Sequence, residues 1–281
     1  MFYLGEESIS ILGLTDASEC PPTYGAHFDD IRGFVSGGWS IFGNRSGNLS
    51  HIDQCYKISD RDFLTYHAPH LTSNDLLVVL YAQGQSAENL HNIIEKTVSQ
   101  TQVNVVLLGW RHQTKSAHFS SALANLRTHA KIVVDFQLPS FDLALQLQAL
   151  LEISVKWALN AISTGAHVLK GKVWHNRMID LTISNNKLYY RSAQIVADVT
   201  GVDLEFATTC LLKAIHGVDE VTDELRQLPV SKQYEIAFPK KKVVPLAILL
   251  ASKKFATIED AKRALDDDPV VRNILLKVVK Q

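Results

Sequence analysis

Three mainly apolar runs, of which the first is continuous, alternate with helical patterns in the first half of the chain, and this alternation restricts the fold more than any other feature. The runs are Leu76–Tyr81, Val103–Leu108 and Lys131–Phe136. Strands that are apolar at every position are typical of parallel sheets covered on both faces. Helical patterns separate them, so we expect βαβ units with right-handed crossovers. Phe2–Leu4 is predicted to be a further strand, and Gly109 is predicted to end the second run.

The rest of the chain divides into one loop-like and one helical stretch. Residues Asp29–Asp62 are rich in Gly, Ser and Asn and are predicted to form a long loop with a little structure inside it. From about Asp142 onward the pattern is helical, with Lys232–Phe238 as a short segment expected to be extended. Asp203 is predicted to cap one helix, and Asp268-Pro269 to begin another.

Composition excludes several classes of protein. The chain of 281 residues is 46% hydrophobic and has a net charge of −1, which gives no basic face for nucleic acid. The three cysteines Cys20, Cys55 and Cys210 are widely spaced, as in proteins of reducing compartments. No apolar run reaches the ~18 residues of a membrane span, and the first residues lack the features of a signal peptide. We therefore expect a soluble intracellular protein.

The histidines give no sign of a metal site. Eleven are present, but they do not form an HExxH motif or a paired helical spacing. His167 lies in a helical pattern and is expected to pack against the sheet. The sequence therefore predicts neither a metal nor any other cofactor.

The end of the first strand is where an open α/β sheet usually binds a ligand. Here the segment reads Gly5-Glu6-Glu7-Ser8-Ile9-Ser10. Phosphate loops use glycines so that backbone amides can approach the anion, whereas Glu6 and Glu7 add negative charge. Ser8 could donate a hydrogen bond to a ligand, or it could cap the helix that follows.

A second candidate segment is Asp16–Gly25, which contains tandem prolines. Proline followed by glycine favours a rigid turn. Glu19 could accept hydrogen bonds from sugar hydroxyls or act as an acid or base. The alternative is a solvated turn residue.

Four motifs resemble one known family. Residues 16–25 (DASECPPTYG) resemble the N-acetylmuramic acid 6-phosphate etherases. Residues 24–34 (YGAHFDDIRGF), 157–172 (WALNAISTGAHVLKGK) and 180–191 (DLTISNNKLYYR) are similar to the related glucokinase regulatory proteins. The resemblance implies a sugar-isomerase (SIS) domain over residues 1–172, an α/β three-layer sandwich with a parallel sheet. An all-helical lid domain would follow over residues 173–281.

The resemblance covers a second SIS domain and the lid, but no first SIS domain. It therefore implies that another SIS domain, or a second copy of this chain, completes the pocket. A chain that starts directly in a strand at Phe2 fits a truncated or rearranged gene product.

Two residues carry over as contacts to a sugar phosphate, with Ser8 as a third candidate. Glu19 matches the acidic ligand residue of the family, and Lys187 matches the lysine of its ISNxK motif. A carboxylate accepts from hydroxyls and an ammonium attracts phosphate. The resemblance implies fructose 1-phosphate, fructose 6-phosphate or an amino-sugar phosphate as the ligand. Pro22 replaces a histidine of the family, which leaves the choice among these sugars open.

The resemblance also implies a partner, a glucokinase or hexokinase that the protein would inhibit. The family's kinase-binding Leu-Leu-Phe run aligns with Phe136, Gln137 and Leu138. The glutamine makes this segment more polar than in the relatives. Pro239-Lys240-Lys241-Lys242 could be a nuclear import signal, so the expected location is cytoplasmic with a nuclear option; the alternative is a solvated loop.

Catalysis is the alternative function. The etherases carry a GAGTSG loop where this chain has Gly5–Ser10, and a second carboxylate in a segment that is not found after Gly25. Elimination from a sugar requires both a base and an acid. We therefore expect recognition without turnover, with an etherase-like lyase as the alternative.

Overall fold

The computed structural model describes residues 1–112, 120–139 and 144–279. The chain forms two compact units. The first unit contains Met1–Ser18 and Phe28–Ser163, and the second contains Glu19–His27 and Thr164–Gln281. The domain boundary at residue 172 stays a prediction.

The first unit is built on a parallel sheet, as predicted. Its strands are β1 Phe2–Gly5, β2 Arg32–Val35, β3 Leu76–Ala82, β4 Asn104–His112 and β5 Ile132–Leu138. Their order is β2-β1-β3-β4-β5, and every neighbouring pair is parallel. The helices are α1 Glu7–Tyr24, α2 Asp60–Tyr66, α3 Glu88–Val98, α4 Ser121–His129 and α5 Ala144–Leu169, of which α1 and α5 extend into the second unit.

Helices cover both faces of this sheet. On one face, Leu77, Val79 and Leu107 pack into a buried cluster with apolar residues of α3 and α4. On the other face α1 lies so close that a Cβ added to Gly13 would be 3.1 Å from the Tyr3 Cβ. A strand covered on both sides cannot alternate between apolar and polar residues, which accounts for the continuous apolar runs. The three-layer α/β class is confirmed.

One prediction about the sheet is wrong, and another understates the structure present. Gly109 does not end a strand, because β4 continues to His112 and pairs with β5 along that length. A Cβ at Gly109 would lie 2.8 Å from the Asp135 Oδ1, so the glycine makes room for that carboxylate. The stretch Asp29–Asp62 also contains more structure than expected, since β2 pairs with β1 and α2 begins at Asp60.

The second unit is helical apart from one small hairpin, β6 Val173–Trp174 with β7 Arg177–Met178. Its helices are α6 Asn186–Thr200, α7 Leu204–His216, α8 Asp223–Gln227, α9 Val230–Ala237, α10 Val243–Ala251, α11 Ile258–Asp267 and α12 Val271–Val278. Helix α10 is apolar at nearly every position and buried around its circumference. Such a helix belongs in the centre of a core, and residues of α6, α7, α11 and α12 pack in the same cluster.

Helix boundaries in this unit follow the predicted caps only in part. Asp203 accepts a hydrogen bond from the Phe206 amide as the cap of α7, as predicted. Lys232–Phe238 is not extended, because α9 covers most of it. Asp268 ends α11 rather than beginning a helix, and α12 starts only at Val271.

Candidate functional site

The segment that carries Glu19 is the end of a helix and not the predicted turn. Helix α1 continues through Pro21 and Pro22 to Tyr24. Gly25 then takes a φ of +56° that ends the helix, and its amide donates to the Pro21 carbonyl at 2.9 Å. Prolines weaken a helix because they lack an amide donor, so this end requires support from outside the helix.

Tyr24 supplies part of that support. Its ring stacks on His167 with centroids 4.2 Å apart and an angle of 6° between the planes. Its hydroxyl shares a hydrogen bond of 2.8 Å with the Thr164 hydroxyl. The contact seen for the His167 ring is thus with Tyr24, and its packing against the sheet stays a prediction. The residues of the 157–172 motif hold the end of the Glu19 helix.

Lys172 provides the other part. Its ammonium donates to the carbonyls of Tyr24 and Gly25 at 2.8 and 3.1 Å and to the Asp180 carboxylate at 3.0 Å. Burial raises the pKa of the Asp180 carboxyl, and the nearby Lys172 ammonium opposes that rise. Thr182 adds hydrogen bonds from its amide and hydroxyl to carbonyls of the proline pair. Three of the motifs thus meet in one hydrogen-bonded network.

Glu19 lies five residues before Tyr24 on the same helix, and its side chain is exposed. Its neighbour Cys20 is buried, with 2% of its surface exposed. The buried cysteine and the network at Tyr24 fix this turn of the helix. A carboxylate held in this way can accept hydrogen bonds from sugar hydroxyls at little conformational cost.

Lys187 lies in the first turn of α6, also in the second unit. Two positions of its ISNNK motif have a structural role that positions the lysine. Ile183 is 1% exposed and anchors the segment, while Asn185 caps the helix by accepting from the Leu188 amide at 2.9 Å. Lys187 itself is exposed. A helix N-terminus carries partial positive charge, so a lysine there reinforces attraction for an anion and not helix stability.

Ser8 belongs to the first unit, apart from the unit that contains Glu19 and Lys187. It is the second residue of α1 and not the cap that precedes a helix. Its hydroxyl accepts a hydrogen bond from the Gln148 side chain at 3.0 Å.

The edge of the sheet beside Ser8 is acidic. The Asn89 amide donates to the Glu6 carboxylate at 2.8 Å and to the Asp60 carboxylate at 3.3 Å. Gln85 donates to the Glu7 carboxylate at 3.3 Å. These carboxylates meet amides and no basic side chain in these contacts, and a phosphate at this edge would be repelled by them. This agrees with the sequence-based argument against a phosphate loop.

The segment proposed to meet a partner is the end of β5. Phe136 is half-buried and stacks on Trp110 with centroids 4.9 Å apart. Gln137 is exposed, whereas Leu138 is buried. Only Gln137 and one side of Phe136 are therefore open to another molecule.

Asp135, next to this segment, forms the strongest charge contacts of the sheet. Arg127 donates two hydrogen bonds to its carboxylate at 3.0 and 2.9 Å, and Arg111 contacts it as well. The bonds from Arg127, aided by both positive charges, hold the pKa of the Asp135 carboxyl below its usual range. A lowered pKa means that this stabilisation is complete above the carboxyl's unfolded pKa and is lost as the pH falls through the folded one.

We predict that Asp135→Asn lowers the free energy of unfolding by about 1–2 kcal/mol at pH 7, because charge-assisted hydrogen bonds are lost. The difference from the wild type should shrink below about pH 4, where Asp135 of the unfolded wild-type chain takes up a proton while the folded carboxyl, with its lowered pKa, does so only at still lower pH. Urea unfolding at pH 7 and pH 3 measures both values. A deficit that persists unchanged at pH 3 would contradict this account.

Sequence reasoning missed a cavity in the first unit. It has a volume of about 380 Å³ and is lined by Gly37–Ser40, Gly43, Asn44, Gly47, Asn48 and Ser59–Arg61. The sequence signal for this cavity is the Gly-, Ser- and Asn-rich composition of Asp29–Asp62, which is equally typical of a loop. The Trp39 indole donates to the Tyr56 carbonyl at 2.7 Å, which fixes one wall.

The part of the chain that the structure describes contains neither a cluster of metal ligands nor a membrane-spanning helix. Within residues 1–112, 120–139 and 144–279, no group of three or more His, Cys, Asp or Glu side chains is placed to hold a metal ion. In the same ranges, no helix is both long and apolar enough to cross a bilayer.

Comparison with known protein families gives two matches that together cover nearly the whole chain. Residues 1–170 match the family described as the second SIS domain of glucokinase regulatory protein. Residues 175–275 match the C-terminal lid domain of the same protein.

Individual relatives fall into two groups. The chain is 32% identical to human glucokinase regulatory protein over 89% of its own length and 40% of the relative's. The Xenopus laevis protein is 25% identical over 98% of this chain and 44% of its own length. An N-acetylmuramic acid 6-phosphate etherase of Clostridium botulinum is 31% identical over 73% of this chain and 62% of its own length. The chain thus spans less than half the length of these two regulatory relatives.

Proposed function

The chain belongs to the glucokinase regulatory protein family, and on that premise we propose that it binds a phosphorylated sugar and regulates a partner protein. One observation carries the proposal. Glu19 and Lys187, the two residues that match the family's ligand contacts, are both exposed side chains on well-anchored turns of the second unit. An acceptor for hydroxyls and a cation for phosphate are the two groups that a sugar phosphate requires.

The proposed ligand is a fructose phosphate, either the 1-phosphate or the 6-phosphate. An acidic sheet edge at Glu6, Glu7 and Asp60 supports the assignment of the phosphate to Lys187, because the usual phosphate position of an α/β sheet is blocked by charge. Ser8 remains a proposed third contact.

We propose that a second SIS domain completes the pocket, contributed by another chain or another copy of this one. The regulatory relatives are more than twice as long as the matched region, which supports this reading. The proposed partner is a glucokinase, met at Gln137 and the open side of Phe136. The ligand would act by its different affinity for the free and partner-bound states. The intracellular location also stays a prediction.

The test is calorimetric titration of the full chain with fructose 1-phosphate, fructose 6-phosphate and N-acetylmuramic acid 6-phosphate. We expect heat of binding with at least one fructose phosphate and no lactate release from the amino sugar. Glu19→Gln and Lys187→Ala should each raise the Kd about tenfold, since each removes one charge-assisted contact worth ~1.4 kcal/mol or more.

Matched controls are Glu259→Gln and Lys262→Ala, which change the same residue types at exposed positions of α11. Their Kd values should equal that of the wild type. Lactate release would replace the regulatory proposal with an etherase, a class that the bacterial relatives keep open. If neither site variant changes the affinity, Glu19 and Lys187 are not the site.

A further inference from the structure

The second unit contains a cavity of its own. Its volume is about 220 Å³, and three short segments line it together with Lys172: Gly25-Ala26, Asp180–Thr182 and Phe238–Lys242. Neither Glu19 nor Lys187 is among these lining residues. The cavity is therefore separate from the proposed contacts to the sugar phosphate.

The charge of this cavity is strongly positive. Its lining includes four lysines and one carboxylate, Asp180. That carboxylate already pairs with Lys172 at 3.0 Å. Asp180 is also close enough to Lys242 for an electrostatic interaction, so the four lysines of the lining share a single negative charge. A concave surface with such an excess concentrates anions.

Two of these lysines are fixed by backbone carbonyls. The Lys240 ammonium donates to the Ile215 carbonyl near the end of α7, and the Lys242 ammonium donates to the Leu265 carbonyl of α11 at 2.7 Å. Both contacts are typical of lysines that cap helix ends. A carbonyl is a neutral acceptor, and an ammonium has three donors. Each lysine therefore keeps its charge and further donors for a ligand.

The lining segment Phe238–Lys242 ends where α10 begins, and Lys242 has a φ of 57°. Val243 and Val244, the first residues of α10, are buried and are not among the lining residues. Phe238, with 59% of its surface exposed, gives the cavity an apolar wall.

We propose that this lysine cavity binds the phosphate group of a small phosphorylated molecule, independently of the Glu19 and Lys187 site. The three ammonium groups of Lys240, Lys241 and Lys242 match the charge and the acceptor oxygens of phosphate. The Phe238 wall favours a phosphate monoester that carries a ring over free phosphate.

Equilibrium dialysis of the full chain at low ionic strength tests the proposal, with inorganic phosphate and adenosine monophosphate as probes. Lys241→Glu is the main variant, because Lys241 is exposed and its replacement leaves both capping contacts in place. It should weaken binding of both probes about tenfold or more. Lys262→Glu, the same reversal on exposed α11, should change either Kd less than about twofold. Circular dichroism verifies that both variants fold.

Cross-controls separate the two sites. Glu19→Gln/Lys187→Ala should leave phosphate binding unchanged, and Phe238→Ala should weaken adenosine monophosphate but not phosphate. The proposal is overturned if the wild type shows no saturable phosphate binding, if Lys241→Glu binds as the wild type does, or if Lys187→Ala abolishes binding. Equal affinity for both probes would overturn the role of Phe238.

Discussion

Lys172→Met is expected to lower the free energy of unfolding of the second unit by about 3–5 kcal/mol, the usual cost of leaving one partner of a buried ion pair unpaired. The Asp180 side chain is 7% exposed and the Lys172 side chain 19%. The substitution keeps the length of the side chain but removes three hydrogen bonds, to Asp180 and to the carbonyls of Tyr24 and Gly25. Chemical unfolding followed by circular dichroism measures the loss.

The double variant Lys172→Met/Asp180→Asn is the control for this explanation. It removes the buried charge along with its partner, so it should recover a substantial part of the lost stability. The deficit of the single variant should also be smaller at pH 4 than at pH 8. The unpaired carboxyl has a raised pKa and takes up a proton as the pH falls, which relieves the buried charge. A single variant within about 1 kcal/mol of the wild type would show that Lys172 is not structural.

Lys172 and its neighbours connect motifs that lie far apart in the sequence. The DASECPPTYG and WALNAISTGAHVLKGK segments are more than 100 residues apart, yet His167, Thr164 and Lys172 hold Tyr24 and Gly25. Much of each motif therefore builds the support for Glu19 and does not touch a ligand. Motif matching identified the segments, but their roles required the structure.

Much of the fold followed from the pattern of apolar residues alone. Mainly apolar runs predicted β3, β4 and β5. Strand β3 is buried along almost its whole length and has no polar side, whereas Ile132 and Val134 of the edge strand β5 are exposed. Strand β2 was missed because Arg32 and Gly33 are half of its four residues. Arg32 is buried there by donating to the carbonyls of Gln54 and Lys57 and to Asp29. The acceptors that compensate for burial of the Arg32 guanidinium lie up to 25 positions away in the sequence. The residues next to Arg32 therefore do not predict that it is buried in a strand.

The candidate site was predicted less completely, for similar reasons. Exposure of Glu19 and Lys187 fits the roles assigned from the resemblance, whereas the turn predicted at Pro21-Pro22 is helical. The destabilising effect of proline in a helix can be read from the neighbouring residues. The hydrogen bonds that offset it at this helix end come from Thr182 and Lys172, which are distant in the sequence. The lysine run at 240–242 was interpreted as a solvated loop or an import signal. Its cavity forms where the connection between α9 and α10 meets Gly25-Ala26 and Asp180–Thr182, and these segments are far apart in the sequence.

The largest effect on the first unit is expected from Gly33→Ala. Helix α1 crosses β2 so closely that a Cβ on Gly33 would lie 2.5 Å from the Leu14 amide nitrogen and 2.8 Å from the Gly13 carbonyl carbon. These are backbone atoms, so no side-chain rotation can relieve the clash. The helix would have to move off a face where it packs so closely that a Cβ on Gly13 would also be only 3.1 Å from the Tyr3 Cβ. We expect a loss of about 3 kcal/mol or more, at the upper end for overpacked cores.

Gly165→Ala is the matched control, because a Cβ at this position of α5 would meet no atom within 4 Å. Alanine should leave stability unchanged or raise it by up to about 1 kcal/mol, since it favours the helix and restricts the unfolded chain. Urea unfolding gives the free energies, and amide hydrogen exchange in β1 and β2 locates the loss. If Gly33→Ala is no less stable than Gly165→Ala, α1 can shift without cost. The close approach that holds this helix against the sheet would then not be a requirement of the fold.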